Sequence, residues 1–309
     1  MDLEKINVEK YLAEIKKNFK LEIADETIRK DLFLTLLLAE MEKEQGIFQE
    51  LIFKGGTLLS RNYLSYHRFS EDLDFVYIHS NSLRELSRKE RERKIKVFID
   101  LFVPKLKNIS DTLNLDFSLN RSDIKYCKVL SGRAVYVFKM YYSTNRYIKL
   151  EINFIEKVFY TPERVGVKMI TDFFDSRELK FILGLEMNNF TVPSYVLKEI
   201  VLEKYRAVLT RHSLKERDLF DLFLIPNSLE VNLKEVVEKI KCSALLKKEL
   251  KPLIENKYSL LKKNEFFVSD EKVEDFAIIK YDTKSFTDFK EKVKPILIEV
   301  CEQFLENEK

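Results

Sequence analysis

The chain has 309 residues, 45% hydrophobic and 34% charged, enough to bury a sizeable core, and its length predicts two domains packed together. Lys and Arg number 54 against 51 Asp and Glu, a net charge of +3, which excludes holding a polyanion by bulk charge and leaves any nucleic-acid partner to a local patch. Three cysteines, Cys127, Cys242 and Cys301, lie far apart and outside metal-binding spacings, which argues against a disulfide framework or a structural zinc and for a reducing compartment.

The start, "MDLEKINVEKYLAEIKKNFKLE", alternates charged with apolar residues and has no uninterrupted apolar core, so no signal peptide is expected and the mature chain is expected to start here. Asp25 reads as the N-cap of a helix running to about Glu44 and ended by Gly46. Within it, "DLFLTLLLAEM" (Asp31 to Met41) is shorter than the roughly 18 residues a membrane span needs. It reads as a buried helix, with no membrane partner. Segment 51 to 58 runs into the doublet Gly55-Gly56, and residues 69 to 77 read as a strand. From Arg84 to Leu106 the apolar residues Ile95, Phe98, Ile99, Phe102, Val103 and Leu106 recur at helical period, behind a basic stretch, Arg84 to Lys96, that is a solvated face or a guide for RNA.

"AVYVFKMYY", a polar "STNR" and "YIKLEINFI" predict an antiparallel hairpin, with Ile148, Leu150, Ile152 and Phe154 on its apolar face and Lys149, Glu151 and Asn153 on the other. Strand signals then fade. The boundary is placed near residue 165, giving domains 1–165 and 166–309, the second mainly helical, with an acidic loop at 268–276.

The densest chemistry lies in "FKGGTLLSRNYLSYHRFSEDLDFVYI", residues 53 to 78. On a strand, period two sets Ser70, Asp72 and Asp74 on one face, with the two carboxylates roughly 6 to 7 Å apart. Their repulsion raises one pKa unless a cation lies between them, and oxygen-only ligands suit Mg²⁺. Gly55 and Gly56 offer backbone NH groups that a phosphate can approach closely, and Thr57 offers a hydroxyl. A Gly-Gly pair alone is more often a turn, and an Asp-x-Asp alone is more often a solvated loop. Their conjunction, with the aspartates interleaved among apolar residues, favours a site.

Two blocks of the chain resemble the AbiEii/AbiGii-type nucleotidyltransferase toxins of the DNA polymerase β-like nucleotidyltransferase superfamily. "GGTLLSRNYLSYHRFSEDLDF" is similar to the family's GGT, then Arg, then SxDLDF; "LKEIVLEKYRAVLTRHSLKERDLFDLFLI" (197–225) is similar to its E-K-x-x-A-x-x-x-R followed by RDxxDL. The resemblance covers most of the chain to about residue 225. It implies an α+β fold: a polymerase-β-like core, a mixed sheet flanked by helices, with a mainly α-helical C-terminal domain completing the site. It further implies that Gly55, Gly56 and Thr57 contact the triphosphate, that Asp72 and Asp74 bind Mg²⁺ in a two-ion site, and that Ser70 lines it. Superfamily members usually carry a third carboxylate on a neighbouring strand, and Glu151 is the best placed candidate. In the second block the resemblance implies that Lys204 contacts the nucleotide phosphates, with Arg211, Arg217, Asp218 and Asp221 at the mouth of the site.

Read from the residues alone, Lys204 and Arg211 are two helical turns apart on one face, and Asp218 and Asp221 share a face of the next helix. Salt bridging between the helices and a direct catalytic role stand equal for Arg217, Asp218 and Asp221. For Lys204 phosphate binding is favoured. His67, His79 and His212 have no partner at zincin or triad spacing, although His67 and Arg68 flank the acidic strand.

The activity implied is transfer of a nucleotide from an NTP to an acceptor, with pyrophosphate leaving, and the acceptor favoured is the 3′ end of tRNA, used by some relatives. The setting implied is a toxin-antitoxin or phage-defence pair in the bacterial cytoplasm, neutralised by a separately encoded antitoxin. Transfer to a protein or small molecule, and a non-catalytic nucleotide- or RNA-binding module, are the alternatives.

Overall fold

The computed structural model describes residues 8–19, 24–173, 190–226, 229–243 and 247–307. The chain divides into two units: residues 1–155 with 162–194, and residues 156–161 with 195–309.

The first unit is built on a seven-stranded mixed sheet of β1 (Leu51–Lys54), β2 (Asp72–Tyr77), β3 (Cys127–Leu130), β4 (Val135–Ser143), β5 (Arg146–Asn153), β6 (Glu163–Gly166) and β7 (Thr191–Ser194), in the order β3-β4-β5-β2-β1-β7-β6. The predicted hairpin is β4 and β5, and Ile148, Leu150, Ile152 and Phe154 are fully buried as alternation requires. Phe75 of β2 and Phe138 of β4 join them on one face of the sheet. Helix α1 (Val8–Phe19) packs on α2 (Asp25–Lys43), which in turn packs against β5. Asp25 is the first helical residue of α2 and Ala24 holds the cap position, so the acid sits inside the first turn, where the helix dipole favours it. Gly46, at φ +86°, follows the helix end and precedes the short α3 (Ile47–Glu50).

The basic-to-apolar stretch is two helices, α5 (Ser80–Glu85) and α6 (Arg88–Thr112). Ser87 and Glu90 form a capping box that starts α6 afresh, and "SRKE" is its sequence signature. Phe98 and Phe102 of α6 meet Phe154 and Phe138, so α6 covers the apolar face of the sheet. Under α2, the fully buried Arg61 donates to Asp31 Oδ1 at 2.8 Å, and the Tyr66 hydroxyl donates to Asp31 Oδ2 at 3.0 Å.

The second unit is helical: α7 (Leu197–Thr210), α8 (Glu216–Leu224), α9 (Leu233–Lys241), α10 (Lys247–Lys262) and α11 (Thr283–Glu306). Helix α9 packs on α7 and α11, and Phe220 of α8 lies among Phe276, Tyr281 and Phe286. The buried Lys239 of α9 donates to Glu199 Oε1 at 2.6 Å and to the Lys157 carbonyl at 2.7 Å, and lies 2.9 Å from Glu156 Oε1. Glu199 Oε2 accepts the backbone NH groups of Phe159 and Tyr160 at 2.8 and 2.9 Å. This network ties residues 156–161 to the helices.

The division therefore differs from a single boundary near 165. β7 lies parallel to β1 with Ser194 opposite Phe53, and β6 pairs with β7, so the sheet unit runs to residue 194. Both strands have four residues, too few for a visible alternation. Among the described residues no helix is long and apolar enough to cross a membrane.

Candidate active site

β1 ends at Lys54, and Gly55 to Leu58 forms the one-turn helix α4, continued by a π-helical turn over Leu59–Tyr63. Gly55 has φ +81°, a conformation a side chain rarely adopts. A Cβ there would lie 2.3 Å from Asp74 Oδ2 and 2.9 Å from Asp74 Cβ, so the bare backbone is what lets the aspartate approach. At Gly56 a Cβ would meet Arg68 Nη2 at 2.6 Å and Ser70 Oγ at 3.5 Å. The doublet thus lies against Asp74 on one side and a buried guanidinium on the other. We expect Gly55→Ala to lower nucleotidyl transfer by about 10²-fold by displacing Asp74, since a misplacement of about 1 Å costs that much. Gly56→Ala meets only the end of a flexible side chain and should retain more activity; transfer assays run beside circular dichroism compare the two.

The strand itself begins at Asp72, so Ser70 sits just before it. The register then builds two rows across one face. In the first, Lys54 of β1 lies opposite Asp74 of β2, which lies opposite Glu151 of β5. In the second, Asp72 lies opposite Lys149, and Lys149 opposite Lys139 of β4. Glu151, picked from sequence as the third carboxylate, is brought beside Asp74. Lys149 Nζ lies 2.7 Å from Asp72 Oδ2.

Burial raises the pKa of Asp72, and the nearby Asp74 raises it further against the opposing pull of Lys149. Burial and Asp74 likewise push Glu151 upward, with Lys54 and Lys149 opposing. Lys30 also pulls Asp72 down, yet the three ammonium groups do not cancel the upward shifts of Asp72 and Glu151, so the face favours added positive charge. Among the described residues no three His, Cys, Asp or Glu side chains already close into a metal site. The donor set nonetheless fits a hard cation, being all oxygen and mutually repulsive.

Thr57 is buried, and its hydroxyl donates to the backbone carbonyl of Asp72, so the group read as a phosphate ligand instead pins the start of β2. In the second unit, Lys204 lies 2.9 Å from Asp218 Oδ1 and 2.5 Å from Asp221 Oδ2, with Arg211 Nε 3.1 Å from Asp218 Oδ2. Burial works to raise the Asp218 pKa, but Lys204 and Arg211 outweigh it and hold the carboxyl below its ordinary range. Arg217 turns elsewhere: its backbone NH donates to Glu271 Oε2 at 3.2 Å, and its guanidinium lies 3.6 Å from Glu271 Oε1. The residues that sequence reasoning passed over are Lys54 and Lys149. Both lie at strand positions in line with the acids, a signal visible only once the register is known.

Residues 36–302 match the family described as Nucleotidyl transferase AbiEii toxin, Type IV TA system. The chain belongs to the AbiEii nucleotidyltransferase toxin family. As an AbiEii protein it is a nucleotidyltransferase and the toxin of a toxin-antitoxin pair, which implies an NTP as substrate and an antitoxin as partner in general terms. Among solved structures, MenT4, a nucleotidyltransferase toxin from Mycobacterium tuberculosis, is 14% identical with a TM-score of 0.47, the match covering 95% of this chain and 98% of that one. A protein from H. pylori assigned as a nucleotidyltransferase is 14% identical with a TM-score of 0.44, covering 93% of this chain and 99% of that one. No curated protein matches the AbiEii chain described here.

Proposed function

We propose that this AbiEii toxin transfers a nucleoside monophosphate from an NTP to the 3′-hydroxyl of an RNA, tRNA being the favoured acceptor, with Mg²⁺ held by Asp72, Asp74 and Glu151. The observation that carries the reading is the register: three carboxylates on one face of adjacent strands, with the Gly55 backbone packed directly against one of them. Bound there, Mg²⁺, as one ion or two, would neutralise the triphosphate and lower the pKa of the attacking hydroxyl. In the step proposed, the acceptor oxygen forms a bond to the α-phosphorus in line with the departing pyrophosphate, whose bridging P–O bond breaks, and the hydroxyl proton is lost to solvent. The protein's share is positioning and charge. Gly55 and Gly56 would offer backbone NH groups to the phosphates while their missing side chains leave room for Asp74 and Arg68, Thr57 fixes the start of β2, and Ser70 borders the doublet.

An RNA acceptor is supported by a groove of about 820 Å³ in the first unit, between the start of α6 and the β3–β4 hairpin. Lys89, Arg93, Lys96, Arg121 and Arg133 line it; Asp100 pairs with Lys96 and Arg121 and Glu92 with Arg133, which still leaves the patch net basic, and Tyr136 offers a ring. Such a local basic patch suits a phosphate backbone although the whole chain is nearly neutral. The setting proposed with this activity is phage defence.

The test is incubation of the purified chain with Mg²⁺, each of four α-labelled NTPs, and total cellular RNA or protein, beside an Asp72→Asn control. A labelled RNA lengthened at its 3′ end is the expected product. A protease-sensitive labelled band would replace RNA with a protein acceptor, and bound nucleotide without turnover would indicate a binding module.

A further inference from the structure

Lys149 is not among the groups that the transferase reading uses, yet it occupies the place where that reading needs a cation. The pairing is set by the backbone: β2 and β5 run parallel with Asp72 directly opposite Lys149, both side chains on the carboxylate face. The ammonium is 2.7 Å from Asp72 Oδ2, one of the two carboxylate oxygens that Asp72 could offer a metal. Its charge is also felt by Glu151, and Asp74 in turn acts on the lysine. The contact is not locked in place. The Lys149 side chain keeps 28% of its surface exposed, and a four-carbon stem with a compact charged head can swing away without breaking the strand. Lys139 lies opposite Lys149 on the far side, with its own ammonium 4.6 Å from the Tyr147 ring centroid, so it does not replace Lys149 at Asp72.

Resting on the metal assignment above, we propose that Lys149 is the resident counter-ion of Asp72, which a divalent cation must displace, so that the free chain binds metal weakly and binds it well together with nucleotide. Asp74 and Glu151 also act on Lys149, but with a metal bound they would be engaged with Asp72, and an incoming triphosphate would supply the displaced ammonium with a new anion. Metal and nucleotide binding are then coupled: each removes the obstacle to the other. The arrangement keeps three acids tolerable in the empty site without committing them to metal.

The test is Mn²⁺ binding to the nucleotide-free full chain, followed by the electron paramagnetic resonance signal of free Mn²⁺. Lys149→Met is expected to tighten binding about tenfold, because it removes a positive charge within a few ångströms of the ligand oxygen. Lys149→Arg keeps the charge and should bind as weakly as the unmodified chain. Adding Asp72→Asn to Lys149→Met should abolish the gain, which locates it at that pair. If Lys149→Met does not fold, as judged by circular dichroism, Lys149→Gln removes the same charge and carries the same expectation. Equal or weaker Mn²⁺ binding by the charge-removing variant, with binding still dependent on Asp72, would overturn the counter-ion role and leave the metal site standing. Binding that ignores Asp72 in every variant would overturn both.

Discussion

Asp72→Asn and Asp74→Asn should each reduce nucleotidyl transfer by on the order of 10³-fold or more while the chain stays folded. Each removes a charge from the acidic face on which the proposed metal binding and phosphate neutralisation depend, and such charge stabilisation is usually the largest catalytic contribution. The structure adds an expectation about stability that ordinary core substitutions do not share. The Asp72 carboxyl is held above its usual pKa by burial and by Asp74, so its ionised form is less favourable in the folded chain than in the unfolded one. A carboxyl shifted in that direction subtracts stability at pH values above its unfolded-state pKa, and the deficit shrinks as the pH falls and the folded chain takes up the proton. Without metal, Asp72→Asn should therefore melt no lower than the unmodified protein at pH 7, with any advantage narrowing toward pH 5. Lys149 keeps Asp74 and Glu151 as neighbouring charges in the variant, which limits the loss from its broken pair. Thermal melts at the two pH values, beside the labelled-nucleotide assay, check both halves. Near-normal transfer by either variant would refute the assignment of these acids.

Lys239→Met is expected to cost about 3–5 kcal/mol of stability, the range seen when one partner of a buried ion pair is removed. Its ammonium is the shared partner of Glu156 and Glu199, and its loss leaves two buried carboxylates without their common cation and the Lys157 carbonyl without that donor. Adding Glu199→Gln should recover only part of the deficit. The amide removes a charge but offers its single oxygen less strongly to the NH groups of Phe159 and Tyr160. Urea unfolding should show a lower midpoint at unchanged slope. A loss below about 1 kcal/mol would mean that water reaches the cluster and the ions are not dependent on one another.

Much of the first unit could be read from local pattern. The alternation in "YIKLEINFI" assigns each residue of β5 to its face, and the fully buried Ile148, Leu150, Ile152 and Phe154 follow it. Glu151 was accessible for the same reason, since it needed only the face of one strand and the expectation of a neighbouring strand. Lys149 needed more. Its partner Asp72 belongs to a strand far away in the chain, and which residues of β2 and β5 stand opposite is decided by sheet assembly rather than by either sequence. The role of Thr57 was hidden because a hydroxyl next to two glycines looks the same whether it faces a ligand or, as here, the backbone of Asp72. Arg217 and Asp218 are adjacent in sequence but part company on the helix: Asp218 turns into the Lys204 cluster, while Arg217 reaches the Glu271 loop. Helical spacing could group Asp218 with Asp221 but could not supply the partner of Arg217.

The backbone passes between the two units at three places, after Ile155, Thr161 and Ser194. A nick at the last of these would not yield two intact halves, because the hexapeptide 156–161 would remain on the sheet-bearing fragment while its partners Glu199 and Lys239 stayed on the other. Fragments made this way should cling together and refold poorly when separated. Recombination that exchanges residues 195–309 alone would strand the same hexapeptide in a foreign setting.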